Sequence, residues 1–377
     1  MELNTIKKME RYARQDDSVI SLGQGIPALP VHSYIKAQIV AAVQDGVADR
    51  YSDPQGLPEL RRAIAKRLEL DTMHYAPEEI IVTAGAIEAL GVALKSVVSE
   101  QRKKVIIPTP VYSAYFKLVE IAGGESVEVA LNEANGWQLD SDMIVNEVND
   151  TTAAVLLCNP NNPTGTIYSQ EDLERICIAA QQKGVCVIVD EVYRNMVYDQ
   201  EQFYSPATDP NFKDTVIRVM SFSKDFSLTG WRVGYLHASL ARIPRLLGIH
   251  DTLVNCAPVI SQYAALAALE VYDEVIQHNL EIYKKQRQYM ADNLKKLSSV
   301  FDFVLPAGAY FFFPRIVSGE LSQQTALEIL GKADVVTVPG YSFGANGEGH
   351  LRLCFGRNQE NIEQAMNRLI TAFGSVQ

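Results

Sequence analysis

The chain has 377 residues, of which 47% are hydrophobic and 21% charged, a composition typical of folded globular proteins that excludes disordered and collagen-like classes. Its length exceeds the roughly 250–300 residues over which a single hydrophobic core grows, so we expect two domains. The net charge of −11 at pH 7 disfavours nucleic-acid and membrane-surface partners, because both are anionic and attract surfaces rich in lysine and arginine.

The N-terminal segment and the cysteines indicate a cytoplasmic protein. Polar side chains interrupt residues 1–18 throughout, so this segment lacks the apolar run of a signal peptide. No stretch of the chain approaches the roughly 18 apolar residues that a membrane span requires. The five cysteines form no CxxC pair, and three lie inside apolar runs, as buried reduced thiols do. We therefore expect neither disulfides nor a metal site.

The middle of the chain alternates short apolar strands with helical patterns. Continuous apolar runs separated by helices indicate a parallel sheet that is buried on both faces. The sequence therefore predicts an α/β fold. In chain order, the predicted strands are residues 80–83, 105–107, 154–158, 185–189 and 215–219, with helices over about 87–98 and 171–182.

Beyond about residue 262 the pattern changes. A long helical stretch leads into a smaller α+β region that begins near residue 300. The first forty residues carry little core of their own, and we expect them to pack with that region. The predicted organisation is a large domain over 40–275 and a discontinuous small domain made of 1–39 and 276–377, joined by the long helix.

Polar residues follow four of the predicted strands. In open α/β sheets, ligands bind outside the carboxyl ends of the strands, so these residues mark the expected site. They are residues 83–85, 159–165, 190–193 and 221–224.

Residues 221–235, SFSKDFSLTGWRVGY, carry the strongest chemical signal. A lysine directly after a buried strand is an unusual structural choice, because lysines normally keep the ammonium group in water. A lysine held there can have its pKa lowered and form a Schiff base with a carbonyl compound, which would be the role of Lys224. Ser221 and Arg232 offer hydrogen bonds and charge suited to a phosphate. Taken alone, the segment also fits a phosphate site in which the lysine is incidental.

Two further strand ends carry candidate ligand-binding side chains. Asn162 lies in NPNNPTG, which forms either an ordinary turn or a rigid turn that aims one amide at a ligand. Asp190 either caps the next helix or pairs with a ring nitrogen and keeps it protonated by charge attraction. In the second case Tyr193 would reach a neighbouring phenolic oxygen.

Together, and in this order, the motifs resemble the pyridoxal-phosphate-dependent aminotransferases of fold type I, class I/II, the aspartate aminotransferase superfamily. The resemblance covers nearly the whole chain and implies a large domain, with a mostly parallel seven-stranded sheet between helices, that binds pyridoxal 5′-phosphate (PLP). Beyond the segments above, it rests on residues 21–27 (SLGQGIP), 51–61 (YSDPQGLPELR), 83–89 (TAGAIEA) and 350–356 (HLRLCFG).

The resemblance implies a role for each residue that would face the cofactor ring. Lys224 would form the aldimine with PLP and carry the proton between Cα and C4′. Asp190 would pair with the pyridine nitrogen, which makes the ring an electron sink. Asn162 and Tyr193 would hydrogen-bond the phenolic oxygen. Tyr112 would stack on the ring, unless it is simply a core tyrosine.

By the same resemblance, the cofactor phosphate would lie on the backbone N–H groups of Gly85 and Ala86 at a helix N-terminus, beside Ile87. Ser221 and Arg232 would complete that phosphate site.

The resemblance also implies a homodimer with shared active sites, because Tyr51 would reach the phosphate of the neighbouring subunit. Arg352 would bind the substrate α-carboxylate through both guanidinium nitrogens, with Asn162 beside it. Gly25 would leave room for the substrate backbone.

Position 87 bears on substrate choice. Some dicarboxylate-specific relatives carry a lysine just after the glycine pair of the phosphate loop, where this chain has Ile87. Isoleucine cannot pair with a second carboxylate. The sequence therefore predicts aromatic or varied L-amino acids rather than aspartate as donors, with a 2-oxo acid as acceptor in a ping-pong exchange.

Three other classes fit parts of the sequence. Residues 23–28 match a dinucleotide-binding G-x-G-x-x-A pattern, but Pro27 and Pro30 interrupt the helix that must begin there. A carbon–sulfur β-lyase, a decarboxylase or a cyclopropane-forming synthase would share the same cofactor residues and stays the alternative reaction. A transcription regulator would need a DNA-binding domain before Ser21, where the resemblance begins, and we do not expect one.

Overall fold

The computed structural model describes residues 5–199 and 201–374. Its strands are β1 (Ile20–Ser21), β2 (Ile80–Thr83), β3 (Lys104–Thr109), β4 (Glu125–Ala130), β5 (Thr152–Cys158), β6 (Cys186–Asp190), β7 (Val216–Ser221), β8 (Gly234–His237), β9 (Phe301–Asp302), β10 (Phe311–Phe312), β11 (Arg315–Ile316), β12 (Val335–Val336), β13 (Val338–Pro339) and β14 (Leu351–Cys354). Its α-helices are α1 (Thr5–Gln15), α2 (Ser33–Gln44), α3 (Pro58–Leu70), α4 (Ala86–Val97), α5 (Ala114–Ala122), α6 (Ser141–Glu147), α7 (Gln170–Lys183), α8 (Phe222–Asp225), α9 (Ile243–Val254), α10 (Val259–Glu270), α11 (Tyr272–Lys295), α12 (Ser322–Ala333) and α13 (Gln359–Phe373).

A seven-stranded sheet in the order β2-β8-β7-β6-β5-β3-β4 forms the centre of the molecule. Strand β8 runs antiparallel to both of its neighbours, and the other pairs are parallel. Every residue of β5, β6 and β7 is buried, because helices cover both faces and the strands are rich in Val, Ile and Leu. The predicted α/β fold with a mostly parallel sheet is therefore confirmed.

The register of the sheet brings the polar strand ends together. Asp190 at the end of β6 lies beside Cys158 at the end of β5. Ser221 at the end of β7 pairs with Gly234, which also pairs with Thr83 at the end of β2. The carboxyl ends of these strands thus form one edge on which the candidate site is built.

Two strands of the central sheet, and the break in one long helix, are absent from the sequence prediction. Strand β4, ESVEVA, is an edge strand with mostly exposed residues, so it lacks the apolar run that reveals a central strand. Strand β8 has only four residues and follows directly on the turn that contains Arg232. The helical pattern after residue 262 is two helices, α10 and α11, which part at Val271.

Three groups of apolar side chains surround the site. One packs helices α2, α3, α7 and α10 against the central sheet, and a second packs α4, α5 and α9 against it. The third surrounds the C-terminal strands and helices α11, α12 and α13, and β1 joins it by pairing in parallel with β12. The division into 40–275 and 1–39 with 276–377 stays a prediction, and helices α2 and α11 cross its two boundaries.

Two further observations concern the chain as a whole. Within residues 5–199 and 201–374, no helix combines the length and apolar character needed to cross a lipid bilayer. All five cysteines are buried with free thiols.

Candidate active site

The carboxyl edge of the sheet opens into a cavity of about 270 Å³. It brings together most of the residues singled out in the sequence. Gly85 lies beside it and contacts Arg232 through the space that a Cβ would fill. Tyr51 does not line it and is 80% exposed. The predicted residues that line the cavity are Gly25, Ala86, Ile87, Tyr112, Asn162, Asp190, Tyr193, Ser221, Lys224, Arg232 and Arg352.

Lys224 projects into the cavity from α8, the short helix that follows β7. Its Nζ donates a hydrogen bond of 2.7 Å to the carbonyl oxygen of Gly25. Burial lowers the pKa of Lys224 to about 8, and repulsion from the Arg352 and Arg232 guanidinium groups adds to this effect. A substantial fraction of the amine is therefore neutral near physiological pH, as a nucleophile or proton acceptor requires.

Asp190 ends β6 with its carboxylate held by two donors. Tyr115 donates its hydroxyl to Oδ2 at 2.7 Å, and the backbone N–H of Val192 donates to Oδ1 at 3.2 Å. Burial raises the pKa of Asp190 to about 6, and both hydrogen bonds oppose that rise because they favour the charged form. The next residue, Glu191, accepts a 2.5 Å hydrogen bond from Nε of fully buried Arg218, which ties this strand end to β7.

Arg352 on β14 connects several of the predicted residues. Its Nη1 donates to Oδ1 of Asn162 at 3.0 Å, and its Nη2 donates to the carbonyl oxygen of Gly23 at 2.5 Å. The Nδ2 group of Asn162 in turn lies 3.4 Å from the hydroxyl of Tyr193. The guanidinium carbon lies 4.5 Å from the ring centre of Phe311.

The charge of Arg352 is buried, and no described residue provides a counter-ion for it. Its side chain is 2% exposed, Nε has no hydrogen-bond partner, and no carboxylate of the described residues pairs with it. A buried guanidinium without a carboxylate is costly. An arginine in this state, at the wall of a cavity, is suited to binding an anionic group of a ligand.

The loop before α4 is shaped around Arg232. Gly85 has a φ of +85°, and a Cβ at this position would lie 2.5 Å from Nη2 of Arg232, so only glycine fits without displacing the guanidinium. Nη2 also donates to the carbonyl oxygen of Ala84 at 3.3 Å. The carboxylate of Glu88 accepts from the N–H of Ala84 at 2.7 Å and holds the loop. A guanidinium at the N-terminus of a helix is a site suited to a phosphate.

Two serines next to Lys224 differ in their hydrogen bonding. The Oγ atom of Ser221 caps α8 by accepting from the N–H of Ser223 at 3.1 Å. The Oγ atom of Ser223, a residue that lines the cavity, is buried and has no hydrogen-bond partner in the described part of the chain. Buried hydroxyl groups normally have a partner, so Ser223 has a donor available for a ligand. The alternation of hydroxyls in SFSK was the only sequence signal for it.

Gly25 is required by the ring of Phe311. A Cβ on Gly25 would lie 2.7 Å from Cζ of Phe311, which no side chain tolerates. The hydroxyl of Tyr310 donates to the carbonyl oxygen of Gly25 at 3.0 Å, alongside Lys224. The glycine thus lets this carbonyl approach the lysine closely.

Sequence reasoning missed several residues of the cavity wall. Helix α1 contributes two of them, and residues 1–18 carry no motif that would have revealed this. Tyr115 follows Tyr112 on the same segment and reads as a core aromatic. The residues of the cavity wall that were not predicted are Ile6, Lys7, Gln24, Ile26, Leu90, Tyr115, Cys158, Val192, Ser223, Thr229 and Phe311.

Comparison with known proteins agrees with this geometry. The family model described as aminotransferase class I and II matches residues 17–369. The putative aminotransferase YugH of Bacillus subtilis is 34% identical over 97% of this chain and 94% of its own.

Two solved structures have the same fold. An aromatic aminotransferase from Pyrococcus horikoshii superposes with a TM-score of 0.89, at 33% identity, over 96% of this chain and 97% of that one. The aspartate aminotransferase of Thermus thermophilus with maleate superposes with a TM-score of 0.92, at 26% identity, over 99% and 97%. The chain therefore belongs to the class I and II aminotransferases, and it is a transaminase.

Proposed function

We propose that this aminotransferase binds PLP in the cavity, and moves the amino group of an aromatic or otherwise varied L-amino acid to a 2-oxo acid by a ping-pong mechanism. The main support is that one cavity holds both Lys224, whose pKa is lowered, and Arg352, which has no counter-ion among the described residues. An amine that reacts with carbonyl groups and a site for a carboxylate are what amino-group transfer between acids requires.

The residues present fit PLP. The unpartnered hydroxyl of Ser223 and the Arg232 guanidinium beside Gly85 suit its phosphate. The carboxylate of Asp190 suits its ring nitrogen, and the amine of Lys224 suits its aldehyde. Tyr112 lines the same cavity and would cover one face of the ring.

When bound, PLP supplies an electron sink for the negative charge that develops at the substrate Cα. Asp190 holds a proton on the ring nitrogen by charge attraction, and Tyr115 keeps that carboxylate ionised and oriented. Lys224 would take the proton from the substrate Cα and deliver it to C4′ of the cofactor, for which its pKa of about 8 is well placed. Arg352 orients the substrate through its carboxylate so that the Cα–H bond faces Lys224.

The walls of the cavity support an apolar or aromatic substrate side chain. Ile6, Ile26 and Ile87 line it together with the ring of Phe311. Apolar walls around a few fixed polar groups are typical of small-molecule sites. The Pyrococcus horikoshii relative is named for aromatic substrates, which agrees with this assignment.

A homodimer with shared active sites is part of the proposal. Tyr51 is 80% exposed and lies outside the cavity of its own chain, so it is available to a neighbouring subunit. Helix α2 and the loop after it expose Val40, Val43 and Val47 at 55%, 59% and 45%. An exposed apolar patch of this kind marks an interaction surface. The free buried cysteines support a reducing, cytoplasmic location.

The test is a panel of L-amino acids and 2-oxo acids with the PLP-loaded protein, in which both products are quantified. We expect amino transfer from phenylalanine or tyrosine with at least the efficiency seen from aspartate. Release of ammonia and pyruvate without amino transfer would contradict the proposed reaction. A preference for aspartate over every aromatic donor by tenfold or more would contradict the proposed donor class.

A further inference from the structure

A buried histidine and a glutamate lie behind the loop that precedes α4. Nδ1 of His250, on α9, lies 2.7 Å from Oε1 of Glu88, in the first turn of α4. The side chain of His250 is fully buried and that of Glu88 is 12% exposed. The described residues of the cavity wall include neither of them. The pair therefore reaches the site only through the loop that it supports.

Glu88 connects His250 to the backbone of Ala84. Its Oε2 accepts a hydrogen bond from the N–H of Ala84 at 2.7 Å. The carbonyl oxygen of Ala84 accepts from Nη2 of Arg232 at 3.3 Å. The next residue is Gly85, which has no Cβ and so leaves room for that guanidinium. A continuous series of contacts thus runs from His250 to the group that is suited to the phosphate of PLP.

The chemistry of the pair fixes how it is hydrogen-bonded. An ionised carboxylate accepts hydrogen bonds and donates none, so Nδ1 of His250 carries a proton and donates it to Glu88. Nε2 of this histidine is buried and has no hydrogen-bond partner among the described residues. The ring therefore directs its polar contact at Glu88, and this contact holds the carboxylate behind the loop.

This restraint matters because Glu88 lies in the first turn of α4. The N-terminus of a helix attracts anions through its dipole and its free N–H groups. Under the proposed function, that end of α4 holds the phosphate of the cofactor. A carboxylate free to turn there would compete with the phosphate for the N–H groups and would repel it, because the two charges have the same sign. Held by His250, the carboxylate supports the loop from behind instead.

We propose that His250 and Glu88 are positioning residues for the phosphate of the cofactor. His250 holds the carboxylate of Glu88, and that carboxylate holds the N–H of Ala84. The loop before α4 then keeps the shape that Arg232 and the phosphate require. This inference rests on the proposed function and assigns a role in it to two residues outside the cavity wall.

The test measures the binding of PLP and of pyridoxal to the protein from which the cofactor has been removed. Pyridoxal has the same ring and aldehyde as PLP and lacks the phosphate, so both ligands can react with Lys224 and their absorbance reports binding. His250→Phe keeps a buried ring and removes the donor to Glu88. We expect the dissociation constant of PLP to rise about tenfold, as the loss of one charged hydrogen bond produces. That of pyridoxal should stay as in wild type.

Three further variants separate this effect from the fold of α9. His250→Asn places an amide donor near the position of Nδ1 and should restore most of the affinity for PLP. Leu246→Ala removes a fully buried side chain from the same helix. It should lower the free energy of unfolding without changing the ratio of the two dissociation constants. Glu88→Ala should weaken PLP binding by a factor similar to that of His250→Phe, and combining the two should weaken it no further.

The outcomes distinguish this inference from the proposed function. Equal affinity of His250→Phe and wild type for PLP, or an equal loss of affinity for PLP and pyridoxal, would overturn the role of His250. Wild-type affinity for PLP in Glu88→Ala would overturn the role of Glu88. A further loss when His250→Phe is added to Glu88→Ala would show that the histidine does not act through the glutamate. Absence of PLP binding by wild type would instead contradict the proposed function.

Discussion

Arg352 and Asn162, 190 residues apart in the chain, are joined by a hydrogen bond of 3.0 Å from Nη1 to Oδ1. Asn162 continues this connection to the hydroxyl of Tyr193, 3.4 Å from its Nδ2 group. The arginine proposed for the substrate carboxylate and the pair proposed for the cofactor phenol thus form one hydrogen-bonded chain. Any movement of Arg352 on substrate binding would reach the cofactor side of the cavity through Asn162.

Replacement of Arg352 by methionine should separate function from stability. We expect kcat/KM for amino-acid donors to fall about 100-fold, because charged hydrogen bonds of about 1.5–3 kcal/mol each are lost. The free energy of unfolding should stay the same or rise, because the substitution removes a buried guanidinium that pairs with no carboxylate of the described residues. Steady-state kinetics and denaturant unfolding check the two parts.

The control for this prediction is Arg357→Met, which removes a nearby arginine that does not line the cavity. It should leave the KM for donors unchanged. If Arg352→Met kept the wild-type affinity for amino acids, its assignment to the substrate carboxylate would be wrong.

Tyr115 acts as a positioning residue for Asp190. Its hydroxyl donates to Oδ2 at 2.7 Å and favours the ionised carboxylate, against the burial that raises the pKa of Asp190 to about 6. In Tyr115→Phe this hydrogen bond is absent, so the pKa of Asp190 should rise further. The acid limb of the pH–activity profile should then move to higher pH.

Tyr168→Phe is the matched control for Tyr115→Phe, because Tyr168 is equally buried but outside the cavity. Its pH profile should superpose on that of wild type. An acid limb for Tyr115→Phe that stays in place, or moves to lower pH, would show that Tyr115 only fills space.

Much of the sheet edge could be predicted from the sequence, because its residues are of types that are unusual at their positions. Lys224 and Asp190 are charged groups placed directly after buried strands, which packing alone does not favour. Lys7 and Tyr115 are not unusual at their positions, because a lysine on a terminal helix and an aromatic residue after a strand are common in any fold. Their positions depend on the packing of α1 beside the cavity and of α5 against α4 and β4, which only the tertiary structure contains. Strand β8 escaped prediction because four residues are too few for a periodic pattern.

Asp225, the neighbour of Lys224, should make stability depend on pH. Burial raises the pKa of Asp225 in the folded protein to about 7, although Nδ2 of Asn195 donates to Oδ2 at 2.8 Å. Its pKa in the unfolded chain is about 3.9. The folded state therefore binds this proton more tightly than the unfolded chain does. Protonation of Asp225 contributes fully to the free energy of unfolding below about pH 4. This contribution is lost as the pH rises through about 7.

Asp225→Asn keeps an acceptor for Asn195 and removes the titration. Relative to wild type, we expect the variant to gain unfolding free energy between pH 5 and pH 8, measured by denaturant unfolding of the cofactor-free protein. Asp251→Asn, at an exposed site, should show no such gain. A difference between Asp225→Asn and wild type that does not change with pH would contradict the raised pKa.

The most direct test of the central claim is to locate the bound cofactor by chemistry. The protein is incubated with PLP, reduced with sodium borohydride, digested and analysed by mass spectrometry. We expect the cofactor to be attached to Lys224, with no adduct of comparable yield at any other lysine. Lys224→Ala should give no adduct in this peptide. An adduct at a different lysine, or none after incubation with excess PLP, would contradict the assignment of this cavity as the active site.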